Sequence, residues 1–155
     1  MIDLRDKWLK ELKLSGTDQF FTFDEKGLCQ LALNDDMLIT LFKPEIGYQV
    51  VIFGQYVVSD LSQSMMQNML IANRNNAIKA APIVSLSENA NALEVHLVLG
   101  QQELRLKPSM SLEKVIDVLK YWREQIINEV GTPQRLQPNK KNQKQQSTPN
   151  HIHFI

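Results

Sequence analysis

The chain has 155 residues, enough for one domain and a tail and too few for two ordinary domains. Its apolar content is ordinary for a soluble protein, and no apolar run exceeds about six residues, far short of the roughly 20 that cross a bilayer. The formal charge of zero hides an asymmetry: residues 1–130 hold 13 basic against 17 acidic residues, a net −4, whereas residues 131–155 hold Arg135, Lys140, Lys141 and Lys144 and no acid, a net +4. An acidic domain argues against general nucleic-acid binding.

Met1 to Asp6 is charged and lacks the apolar core of a signal peptide. The spacing of Leu4, Trp8 and Leu12 then predicts an amphipathic helix over Asp3–Lys13, ended by Ser15-Gly16. Phe20-Phe21-Thr22-Phe23 reads as a strand, Asp24-Glu25-Lys26-Gly27 as a turn, and Leu28–Leu33 as the next strand, with Cys29, Leu31 and Leu33 on one face. After the turn Asn34-Asp35-Asp36 come two strands that are apolar on both faces, Met37–Phe42 and Tyr48–Phe53, separated by Pro44-Glu45-Ile46-Gly47. Antiparallel strands usually bury one face and wet the other, so this doubled apolarity marks surplus sticky surface.

A second helix is expected from Asp60 to about Asn73, with Asp60 as cap and Gln63 completing a weak capping box. Its apolar face holds Leu61, Met65, Met66, Met69 and Leu70. Asn73-Arg74-Asn75-Asn76 weakens the pattern at its end. Pro82 leads into a strand at Ile83–Leu86, Glu88–Asn91 is a turn, and Leu93, Val95, Leu97 and Leu99 alternate as one strand face. Gly100 breaks that strand, and Leu104-Arg105-Leu106 reads as its continuation. Ser111–Glu129 is the best helix: Leu112, Val115, Ile116, Leu119, Trp122 and Ile126 share one face, Ser109 or Ser111 can cap it after Pro108, and Gly131 and Pro133 stop it. From Thr132 the composition turns to Asn, Gln, Lys, Pro and Ser, too polar to offset ordering entropy, so 132–155 is expected to be a disordered basic tail. The order helix, strands, helix, strands, helix with short connections makes residues 1–131 an α+β domain with three helices and a mostly antiparallel twisted sheet.

No set of residues meets the geometric roles of catalysis, and no phosphate loop or metal-ligand cluster is present, so a binder is expected rather than an enzyme, with no cofactor. Cys29, the sole cysteine, cannot form an internal disulfide; it alternates with apolar neighbours and reads as a packing residue in a reducing cytosol. His96 lies opposite the apolar face of its strand and reads as an exposed or interface histidine. His151 and His153 flank Ile152 without a nearby cysteine or carboxylate, a poor metal site. Lys140, Lys141 and Lys144 have no aromatic residues among them and read as a solubilising stretch rather than an RNA or lipid site. The methionines suit an adaptable contact surface, and with Leu70 and Ile71 the helix carries more apolar circumference than one packing face needs. Met65, Met66, Met69 and Leu70 are therefore the expected homodimer interface. Trp8, Leu4 and Leu12 either staple the first helix to the sheet or leave part of their stripe open as a peptide groove.

Several short stretches in order resemble one family. Phe21-Thr22-Phe23-Asp24-Glu25-Lys26-Gly27-Leu28-Cys29 is similar to the first hairpin of the class I type III secretion chaperones, which include the chaperone of the translocated intimin receptor. Tyr48–Gly54 resembles the family's third strand with its aromatic-Gly step, and Met69-Leu70-Ile71-Ala72-Asn73 the end of its central helix. Ala81-Pro82 stands where the family often has Gly-Pro, and Leu104–Pro108 followed by Ser111–Lys114 resembles the exit from its last strand into the C-terminal helix. The match spans about residues 3–130. It differs in net charge, since members are usually acidic overall, and the tail has no counterpart in the fold.

The resemblance implies a homodimeric protein of the bacterial cytoplasm, without cofactor, that binds the N-terminal segment of a secreted effector or translocator in extended form. It also implies the secretion-system ATPase as a further partner, and no membrane insertion. The expected client-binding residues are Leu4, Trp8, Leu12, Phe20, Phe21, Ile39 and Leu41. The alternative is a small-molecule sensor or carrier of PAS-like or profilin-like type, its two-faced strands lining a pocket.

Overall fold

The computed structural model describes residues 2–15, 18–89 and 91–131. Expectations for the Gly16 helix stop and for the tail, including His151 and His153, lie outside these residues. The elements are α1 (Leu4–Lys10), β1 (Leu28–Ala32), β2 (Met37–Phe42), β3 (Val50–Val57), α2 (Gln63–Ile78), β4 (Ile83–Leu86), β5 (Ala92–Leu99), a 3-10 turn (Glu103–Arg105) and α3 (Pro108–Gly131). The five strands form one antiparallel sheet in the order β1-β2-β3-β5-β4. The α+β expectation with three helices therefore holds.

Alternation along the strands decides which face is covered. Ile39 and Leu41 of β2, Val50 and Ile52 of β3, and Leu93, Val95 and Leu99 of β5 point inward and are fully buried with α3's Val115 and Leu119. Gly54 shares that inward face, and the absence of its side chain is what lets α3 come close. A Cβ there would lie 3.0 Å from Val115 Cγ1 and 3.2 Å from Leu119 Cδ2. The opposite face carries Leu38, Phe42, Val51 and Phe53 half-buried and Val57 and Val98 exposed. The doubled apolarity of β2 and β3 is thus an outer sheet face that no helix needs.

α1 is fixed by charge as well as by burial. The Asp3 carboxylate caps it, accepting from the Arg5 backbone N–H at 2.9 Å, and it holds the buried Arg5 guanidinium at 2.6 Å. That guanidinium also donates to the Pro44 carbonyl at 2.7 Å, tying α1 to the β2–β3 connection. The Arg5 bonds hold the Asp3 carboxyl down at about 2.

Four local expectations are corrected. Phe20–Phe23 is not a strand: the Asp24 carboxylate accepts from the N–H groups of Lys26 and Leu28, and the Asp24 N–H donates to the Leu28 carbonyl, so Asp24 occupies the outward backbone groups at the start of β1. α2 starts later and ends later than expected, because Ser62 rather than Asp60 is the cap, its hydroxyl accepting from Met65 N at 3.0 Å, and the helix runs through Asn73–Asn76. Leu104–Leu106 does not extend β5. The Glu103 carboxylate accepts from Gly100 N, the Leu104 N–H donates to the Gly100 carbonyl, and the resulting 3-10 turn buries Leu104 and packs against α1. α3 begins at Pro108, not at a serine cap, since proline has no N–H to leave unpaired in a first turn.

Candidate functional site

The two edges of the sheet differ in their backbone. β1 pairs only with β2, Cys29 opposite Leu41 and Leu31 opposite Ile39. With Leu28 bonded to Asp24 on its outward side, antiparallel alternation turns the N–H and C=O groups of Gln30 and Ala32 outward as well. Beside this edge the segment Gln19–Thr22 lies next to Leu28–Gln30 and leaves an open depression of about 380 Å³ between them. β4 is closed instead. The Asn73 side chain on α2 accepts from the Val84 N–H at 2.8 Å and donates to the Val84 carbonyl at 2.6 Å, and Asn76 donates to the Pro82 carbonyl at 3.0 Å.

The expected client-binding residues separate by burial. Phe20 is 76% exposed beside the β1 edge and Leu4 is 39% exposed on α1. Trp8, Leu12, Phe21, Ile39 and Leu41 are buried and belong to the core. The Trp8 indole N–H is buried without a hydrogen-bond partner. Of the expected dimer residues, Met65 and Met69 are buried within the chain's own core, while Met66 and Leu70 are exposed. Leu70, at 71%, continues into Ile71, Ile78 and the β4 residue Ile83, all exposed, beside an open apolar depression of about 410 Å³ between α2 and β4. Ile71 was read from sequence with Leu70 as added apolar area, whereas Ile78 and Ile83 were not singled out as contact residues, nor was the pairing of Asn73 with β4; the apolar helix face was legible, but its extent depends on where α2 ends.

A polar stripe crosses the outer face between β3 and β4. Gln55 donates to Glu94 at 2.9 Å, Glu94 lies 3.5 Å from His96 Nε2, and Ser85 Oγ is 2.7 Å from the same nitrogen. Phe53 meets the imidazole edge-on at 5.0 Å between centroids. Serine, histidine and glutamate are together here, but not as a hydrolytic triad. A triad places nucleophile and carboxylate on opposite ring nitrogens, and here both contact Nε2. Burial pushes the His96 pKa down, against a smaller upward pull from Glu94, which favours a neutral ring accepting from the Ser85 hydroxyl. Burial pushes the Cys29 thiol up, with Asp24 adding to the shift, the opposite of what a reactive thiolate needs. Among the described residues no three His, Cys, Asp or Glu side chains converge as metal ligands, and no helix is long and apolar enough to cross a membrane.

Residues 8–123 match the family model described as Tir chaperone protein (CesT) family. The chain belongs to that family. It is a type III secretion chaperone that binds effectors. Two solved structures share the chaperone's fold. A chain of the "HopA1-SchA Chaperone-Effector Complex" aligns with a TM-score of 0.62 at 18% identity, over 78% of this chain and 94% of that one. A chain of the "ExsC-ExsE Complex" aligns with a TM-score of 0.62 at 14% identity, over 79% and 90%. No curated protein matches the chaperone's sequence significantly.

Proposed function

We propose that the chaperone, with residues 1–131 as its domain, receives the N-terminal segment of a secreted effector or translocator as an added strand on β1. The outward backbone groups of Gln30 and Ala32 carry this reading, because an extended peptide gains affinity from main-chain bonds and specificity from alternating side-chain pockets. Phe20 and Leu4 are the exposed apolar anchors, and Trp8, Leu12, Phe21, Ile39 and Leu41 form the packed floor that holds them in place. Binding at equilibrium masks the client's apolar segment. The role proposed is binding rather than catalysis, in keeping with the chaperone family the chain belongs to.

A second copy is the proposed occupant of the α2–β4 face, where Met66 and Leu70 line the depression with Met69 and where α2's Ile71 and Ile78 and β4's Ile83 are also exposed. The chaperone would then work as a homodimer in the bacterial cytoplasm, handing its client to the secretion-system ATPase. The small-molecule reading draws no support from the two-faced strands, because Ile39, Leu41 and Ile52 are packed solid on their inward side.

The test is purification from the native host followed by mass spectrometry and sedimentation. The expected result is a particle of twice the chain mass carrying one or a few secreted proteins, whose N-terminal segments resist proteolysis in the complex. A monomer that retains a small molecule and no protein would overturn the reading.

A further inference from the structure

A further depression of about 450 Å³ lies apart from the hollow beside Phe20 and from the α2–β4 face. It opens at one end of the outer sheet face. Ala32, Leu38, Val57 and Ala92 line it with apolar surface, and Asp35 and Asp36 stand on its rim. The chain leaves the folded domain close by. Arg123 of α3 is bonded to the rim residue Asp36 at 2.8 Å, and Glu129, two residues before Gly131, accepts from Ser62, which follows Val57 by five positions.

The chain beyond Gly131 has the complementary chemistry. Residues 132–150 carry Arg135, Lys140, Lys141 and Lys144 with no acid, against a domain of net −4. Then His151-Ile152-His153-Phe154-Ile155 brings Ile152, Phe154 and Ile155 together as the first apolar cluster in the sequence beyond α3. Twenty residues separate Gly131 from Ile152. Such a stretch reaches about 66 Å when extended and about 25 Å on average as a flexible chain, against a radius of gyration near 14 Å for a domain this size. Reach is therefore no obstacle, and a tethered segment meets its site at roughly millimolar effective concentration.

We propose that the segment 151–155 docks in cis in this depression, Ile152 and Phe154 against Ala32, Leu38, Val57 and Ala92, with the preceding lysines drawn to Asp35 and Asp36. The occupant is a part of the same chain, and the proposal stands whether or not the β1 edge is where clients bind.

The experiment compares amide spectra of the full-length chain with those of full-length I152D/F154D and K140E/K141E/K144E variants, and titrates each with a synthetic peptide of residues 145–155. The expected result is that amides of Ala32, Asp35 to Leu38, Val57 and Ala92 shift in both variants while those of α2 and β4 do not. Salt should move the unaltered chain in the same direction, since the lysine part is screened. The peptide should bind the I152D/F154D variant at least about tenfold more tightly than the unaltered chain, whose site is occupied by its own segment. Amides around the depression that stay unmoved, shifts that fall on α2 and β4 instead, or shifts that vanish on dilution and so report a second copy would each overturn the proposal.

Discussion

β1 and β4 are both edges of one antiparallel sheet, and they are handled in opposite ways. A bare edge is a template for another strand and a hazard unless something blocks it. At β4 the block is one side chain: the Asn73 amide matches the outward N–H and C=O of Val84 as a strand would. At β1 the outward groups of Leu28 are taken by Asp24, and those of Gln30 and Ala32 point away from β2, Gln30 beside an open depression. The comparison teaches that β4 is blocked by polar residues of α2 rather than by its methionines, which leaves β1 as the edge proposed above for a client strand.

The largest effect should come from breaking the core behind the exposed anchors. Trp8 is 1% exposed, and truncating a buried tryptophan typically costs about 3–5 kcal/mol. Trp8→Ala should therefore unfold or nearly unfold the domain in urea. Phe20→Ala, a short way along the chain but solvent-exposed, should leave the urea midpoint almost unchanged. Equal losses for the two would remove the distinction between floor and anchor.

The closed edge gives the next effect. Asn73→Leu removes two bonds and leaves the Val84 N–H and C=O unpaired in a half-buried place. Each unsatisfied group costs about 1–3 kcal/mol, so a loss of roughly 2–6 kcal/mol is expected. The variant should also form larger species by sedimentation as β4 becomes available for pairing. An Asn73→Leu protein of unaltered stability and mass would show that the amide does not guard the edge.

At the open edge the expectation reverses: binding changes and stability does not. Gln30→Pro deletes an N–H that points away from β2, a position where proline is tolerated in edge strands. The fold should survive by circular dichroism while affinity for the co-purified client segment drops at least about tenfold, or about 1.4 kcal/mol. Phe20→Ala should weaken the same binding by a comparable or larger factor, as exposed aromatic anchors tend to dominate such interfaces. Unchanged affinity in both would move the client away from β1.

Much of the fold was legible in the sequence, the contrast between its edges was not, and the omissions have physical causes. The apolar stripe of α3, the β2 span and the alternation of β5 depend on periodicity, which burial enforces, and all three are present. The order of stretches resembling type III chaperones pointed to the family that residues 8–123 match. Burial of particular residues was harder to read. Trp8 and Phe20 are both aromatic and both in the chain's first segment, yet one is core and the other solvent-exposed, because only tertiary packing sorts them. Asn73 and Asn76 weakened the helix pattern by propensity, since asparagine competes for backbone groups. In the fold that competition is directed outward, to the backbone of Val84 and Pro82, and α2 continues through both residues.

The smallest expected effect distinguishes the edges by pH. β1 contains no group that titrates near neutrality, whereas β4 and β5 are joined across their outer face by Ser85 and His96. The ordinary histidine pKa is 6.5, and burial holds the folded value below that, with Glu94 pulling the other way. The unfolded chain therefore takes up a proton at a higher pH than the folded one. Stability from this group is complete above about 6.5 and declines as pH falls from there through the lower folded value. Protonation also removes the lone pair that accepts from Ser85. Asp3 acts in a separate window: its carboxyl lies at about 2 against 3.8 ordinarily, so its contribution is present above 3.8 and is lost only as pH falls toward 2. Urea midpoints from pH 8 to 5 should thus fall modestly for the unaltered chain and more weakly for His96→Gln, which cannot titrate. Amides of β4 and β5 should shift with that titration while those of β1 stay still. An identical pH slope in the His96→Gln variant would place the titrating group elsewhere and leave the two edges alike in this respect.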